Sequence, residues 1–155
     1  MTTEEYSKHL GKLVANFQSL EFILRAFLQE LPAAPPMGVP YGTDIYSFPV
    51  GTTLPVNHLT SYDSLRKLIR KFNTEVGGRH LAQIDETLAD VRDALAHGRV
   101  SAASPDANLR LLKYDRPNHG MTRVNFNQVL TMEWFATQIR LVHDTILEIN
   151  KRMPG

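Results

Sequence analysis

The sequence predicts an all-α protein: a four- to five-helix bundle with a long Pro/Gly-rich loop after helix 1 and a short β-hairpin before the last helix. Apolar residues recur at three- and four-residue spacing in four separate stretches, the period of helices with one buried face. Six of the nine prolines crowd into residues 32–56, which separates the first of these stretches from the rest. Only one short region alternates with period two. A chain of 155 residues, 43% hydrophobic and 21% charged, fits one domain spanning 1–155 and can bury a core without disulfides or metals.

The first helix is expected over 4–31. Leu10, Leu13, Val14, Phe17, Leu20, Leu24, Phe27, Leu28 and Leu31 form one stripe, and Phe22, Ile23 and Ala26 add apolar area on a second face. Leu31-Pro32 ends it, because proline disfavours helix at the residue before it. Residues 32–56 read as an ordered crossover, with Tyr41, Tyr46 and Phe48 available to pack it down. A second helix is expected over 58–76, with Leu65, Leu68, Ile69, Phe72 and Val76 inward. Its outer face carries Arg66, Lys67, Arg70 and Lys71, which is either a solvated surface or a phosphate-facing patch.

Gly77-Gly78 precedes a third helix expected from Arg79 to His97, with Leu81, Ile84, Leu88, Val91 and Leu95 on its core stripe. Gly98 stands where a left-handed residue commonly closes a helix. The segments 109–114 and 122–126 flank a turn-rich stretch and read as a hairpin. The last helix is expected from Thr131, a suitable N-cap, to about Arg152, with Leu130 and Phe135 placed for a hydrophobic staple.

Composition bounds the chemistry. The absence of cysteine rules out disulfides, thiolate metal sites and cysteine nucleophiles, and suits a reducing cytoplasm. The acidic start, Met1-Thr2-Thr3-Glu4-Glu5-Tyr6, lacks the apolar region of a signal peptide, and no run is long enough to cross a bilayer. No membrane partner, metal or cofactor is therefore expected. His9, His58, His80, His119 and His143 are scattered without metal-ligand spacing, and His143-Asp144 reads as a solvated or satisfied pair. The net charge of +1 means that any nucleic-acid contact must come from a local patch.

One constellation stands out: Arg92-Asp93-Ala94-Leu95-Ala96-His97-Gly98 at the end of the third helix. Arg92 has no carboxylate three or four residues away, so its cation needs an anion from elsewhere. That anion is either a carboxylate on another helix, such as Glu21, or a phosphate. Asp93 and His97 are four apart and share a face, where the carboxylate would orient the ring. Arg92 and His97 are five apart, about 140° around an ideal helix. A histidine in a last helical turn is also favoured simply by the helix dipole.

Arg92-Asp93-Ala94-Leu95-Ala96-His97 resembles the R-x4-6-H motif of the HEPN superfamily, the higher eukaryote and prokaryote nucleotide-binding proteins. The first-helix run Leu20-Glu21-Phe22-Ile23-Leu24-Arg25 and the layout of the helices are similar too. The resemblance implies a helical bundle that dimerises so that two motifs face one cleft. Many members are metal-independent endoribonucleases of toxin–antitoxin, phage-defence or RNA-processing systems. Carried over, His97 is the general acid/base, Arg92 binds the scissile phosphate and Asp93 orients His97. Arg99, Arg66 and Arg70 are further candidate RNA or phosphate contacts. Asp93 replaces an asparagine frequent in catalytic members, and Arg99 occupies a position where some toxins carry tyrosine. The expected partners are a second copy of the chain, RNA, and an antitoxin or other protein. The alternatives are a non-catalytic HEPN-like module binding RNA, a nucleotide or a protein, or an unrelated helical interaction protein.

Overall fold

In the computed structural model, residues 1–40, 42–78, 82–104 and 107–153 are described, together with the backbone but not the side chain of Tyr46. The expectations placed on Tyr41, the Tyr46 side chain, Arg79, His80 and Leu81 lie outside these. Among the described residues four α-helices form, α1 (Thr3–Gln29), α2 (Leu65–Gly77), α3 (Thr87–His97) and α4 (Met132–Asn150). Three strands, β1 (Arg99–Ser101), β2 (Arg110–Tyr114) and β3 (Val124–Val129), lie between α3 and α4.

The chain is therefore a mixed α/β protein, and the all-α expectation is corrected. The hairpin before the last helix is present as β2 and β3, but β1 joins it to make a three-stranded antiparallel sheet in the order β1-β2-β3. Val100 pairs with Leu111 and Leu112 with Asn127. The sheet is part of the core because Leu111 on β2 is fully buried beneath α3 and makes the hairpin inseparable from the helices. All three residues of β1 are exposed, so hydrophobic patterning carries no trace of it.

Gly98 also departs from expectation. It caps α3 in an extended conformation, φ −77° and ψ 173°, and not in the left-handed region. A methyl group at this position would overlap the Ala94 carbonyl oxygen and come within 2.5 Å of the Leu111 side chain. Glycine is needed because the chain leaves α3 pressed against β2.

α1 is the spine of the molecule. Its capping box joins the Thr2 hydroxyl to the Glu5 amide and the Glu5 carboxylate to the Thr2 amide. Leu13, Phe17, Leu20, Leu24, Phe27 and Leu28 line its buried stripe, as the periodicity predicts. Phe27 meets Phe72 of α2 edge-to-face at 4.8 Å between ring centroids, and Tyr6 packs on Phe135 of α4. α4 begins as expected, with the Thr131 hydroxyl accepting from the Trp134 amide and both Leu130 and Phe135 buried.

The 32–56 stretch is an ordered crossover closed by one cation. The Arg25 guanidinium donates to the carbonyls of His58, Ser61 and Asp63 at 2.7–3.0 Å and to the Ser61 hydroxyl. Asn57, almost wholly buried, accepts from the Leu59 and Thr60 amides through its side chain. Residues 58–64 are thus taken up by this clasp, and α2 starts at Leu65 behind the Ser64 cap, later than expected. α3 likewise starts at Thr87, because Asn73 ties down Ile84 through both its amide and its carbonyl and keeps 82–85 out of the helix.

Candidate functional site

The face between α1 and α3 carries the motif. Arg92 projects from α3 toward α1, where its Nε donates to Oε1 of Glu21 at 2.8 Å. Its Nη1 lies 3.5 Å from Oδ1 of Asp93, and the other Asp93 oxygen lies 4.0 Å from Nζ of Lys113 on β2. Glu21, Arg92, Asp93 and Lys113 therefore form a chain of alternating charge. Arg92 keeps about a third of its side-chain surface, 35%, open to solvent. It lines a cavity of about 410 Å³ with Val14, Gln18, Glu21, Leu95 and Ala96. The Glu21–Arg92 pair is the one the sequence nominated when it left Arg92 without a carboxylate on its own helix.

His97 is exposed at the last turn of α3, and its side chain makes no hydrogen bond or ion pair with the described residues. The Asp93–His97 contact expected from their spacing does not form, because the Asp93 carboxylate is drawn to Arg92 and Lys113 instead. Lys113 carried no sequence signal. It reaches Asp93 only because β2 packs beside α3, with Leu111 fixing the register. Within one chain Arg92 lines the cavity and His97 does not, in keeping with their five-residue spacing on α3.

The remaining candidate cations are already engaged. Arg66 pairs with both Glu86 and Asp90, and Arg70 with Glu86 at 2.9 Å, so acids beside and on α3 neutralise the outer face of α2. The solvated-surface reading describes these two arginines, and the charge they offer a phosphate is largely cancelled. The Arg99 guanidinium stacks over the Tyr114 ring, 5.4 Å from its centroid. Arg99 thus lies on the sheet edge immediately beyond the motif, held by an aromatic face and by none of the described acids.

No family model, curated protein or solved structure matches this chain. Among the described residues no helix is long and apolar enough to cross a membrane.

Proposed function

We propose that this protein is a HEPN-like homodimer that cleaves RNA without a metal, using Arg92 and His97. The observation that carries the reading is the state of Arg92, which is held on the wall of an open cavity and not sealed in the core. Glu21 takes the Nε of the guanidinium, and among the described residues the terminal nitrogens have only the longer Asp93 contact. Those nitrogens form the edge that suits a phosphate. His97, unbonded and exposed, keeps both ring nitrogens available for proton transfer.

A second copy of the chain supplies what one copy lacks. In the proposed dimer Val14, exposed on the cavity wall, contributes apolar contact area, and Arg92 of one chain meets His97 of the other. In the reaction the ribose 2′-oxygen attacks phosphorus and His97 accepts the 2′-hydroxyl proton. Arg92 stabilises the charge gathering on the phosphoryl oxygens. The 5′-oxygen leaves and takes a proton from the second His97 or from water, giving a 2′,3′-cyclic phosphate and a 5′-hydroxyl.

One observation favours a second reading. The Glu21–Arg92 hydrogen bond is short and well placed for a structural pair, as in a non-catalytic module that binds RNA, a nucleotide or a protein partner. Cleavage of end-labelled single-stranded RNA in excess EDTA separates the two. Cyclic-phosphate ends produced by wild type and lost in both His97→Ala and Arg92→Ala support the ribonuclease. RNA bound but uncut by all three supports the module, and equal cutting by all three removes both residues from the chemistry.

A further inference from the structure

A second site lies on the far side of α1. His9, Lys12 and Asn16 share one face of α1, and Ala136, Ile139, Arg140 and His143 share one face of α4. Between them runs an open groove of about 500 Å³ whose lining contains no carboxylate. Its floor is fixed by the Asn16 side-chain amide, which donates to the Ile139 carbonyl, and by the His9 ring against Phe135. On α1 the groove residues lie opposite Val14, Gln18 and Glu21, at about 100° of rotation per residue, so the groove is distinct from the Arg92 cavity.

Lys12 and Arg140 are uncommitted here, unlike most of the cations elsewhere on the surface. Arg66, Lys67, Arg70, Lys71, Arg92, Lys113, Arg123, Lys151 and Arg152 all face acids, and Arg25 is spent on the crossover. Lys12, Arg140 and His143 make no side-chain hydrogen bond or ion pair with any described residue. The acids nearest in sequence do not quench them. Glu5 is turned to the Thr2 amide at 2.7 Å, and Asp144, one turn beyond Arg140, forms no ion pair with it. In a chain of net charge +1, this groove brings together two cations, Lys12 and Arg140, that the described acids leave unpaired.

We infer that the α1–α4 groove binds the phosphate backbone of single-stranded RNA. Lys12 on one wall and Arg140 on the other, with the polar imidazoles of His9 and His143 beside them, line about 10 Å of helix from His9 to Asn16, a length that suits adjacent linked phosphates better than one compact anion. The groove lining offers the His9 and His143 imidazoles but no Phe, Tyr or Trp ring, so contact is chiefly with the phosphates and carries little sequence information.

The test is anisotropy of a fluorescein-labelled single-stranded RNA oligonucleotide across a salt series, in the full-length Arg92→Ala/His97→Ala background. That background removes the site under Proposed function, so loss of the ribonuclease reading leaves this measurement intact. Lys12→Ala/Arg140→Ala is expected to weaken binding about tenfold and to lower the log–log salt slope by about 1.4, the share of two phosphate contacts. Arg123→Ala/Lys151→Ala removes the same charge from paired positions and is expected to change affinity less than twofold. Equal losses in both double variants, an unchanged Lys12→Ala/Arg140→Ala protein, or no binding of RNA at low salt overturns the inference. So does inorganic polyphosphate binding the groove where RNA does not.

Discussion

Glu21 and Arg92, 71 residues apart, are joined by a 2.8 Å hydrogen bond that spans the seam between α1 and α3. The bond fixes which edge of the guanidinium faces the cavity. Glu21→Gln keeps an oxygen acceptor but removes the negative charge. We expect stability to fall by about 1 kcal/mol or less, the range of a partly exposed ion pair, and RNA affinity to rise several-fold as the cavity becomes more positive. Thermal unfolding and RNA titration measure the two effects, and a tighter complex with lower stability is the expected pairing.

Gly98 is a packing requirement for the sheet. Gly98→Ala forces a methyl group into the Ala94 carbonyl and the Leu111 side chain, neither of which has open space to move into. We expect a loss of about 1–3 kcal/mol in urea unfolding, the usual cost of overpacking. A variant pairing Gly98→Ala with Leu111→Val is expected to regain part of the loss, since the second change vacates volume at the clash.

Acid will loosen the start of α2. Lys67 and Lys71 both bind the Asp63 carboxylate, at 2.6 and 2.7 Å, and hold its pKa at about 2, against an ordinary value near 3.8. A carboxyl whose folded pKa lies below its unfolded one adds stability that is fully present above the unfolded pKa and is lost as pH falls through the folded one. The contribution of Asp63 is therefore complete at neutral pH and declines from about pH 5 to about pH 2. Asp63→Asn is expected to cost about 1 kcal/mol at pH 7, and stability curves of the two proteins should converge toward pH 2.

The Arg25 clasp holds the crossover and not the core. Arg25→Ala removes every donor that the guanidinium gives to His58, Ser61 and Asp63. We expect amide exchange to rise by tenfold or more over 57–64, while Leu68, Ile69 and Phe72 on α2 remain protected. Hydrogen exchange read by mass spectrometry distinguishes this local opening from a general loss of stability.

How far the sequence was legible follows the range of the interactions. Periodicity located α1, α4 and their buried stripes, because Phe17, Leu24 and Phe135 announce a helix face through neighbours on the same helix. It placed α2 and α3 but started both early, since Arg25 and Asn73 claim the preceding segments from a distance. β1 was invisible because three exposed residues carry no pattern, and its pairing depends on Leu111, ten residues downstream or more. At the site, isolation from local acids pointed Arg92 to Glu21. The same local reasoning joined Asp93 to His97 and failed, because Lys113 enters from a strand whose position only the fold determines.

The clasp at Arg25 also separates the two ends of the crossover from its middle. With Gln29 bonded to Pro35 and to the His58 amide, the chain is pinned shortly after α1 and again before α2. Between these pins, Val50 stands fully in solvent beside Gly51, whose φ of 97° completes a tight bend. Lengthening this tip costs only loop entropy, about 0.6 kcal/mol for each doubling of length. The tip is thus a natural splice point: a reporter peptide or a pair of new chain termini can be introduced at Val50-Gly51 with the helices on either side already registered.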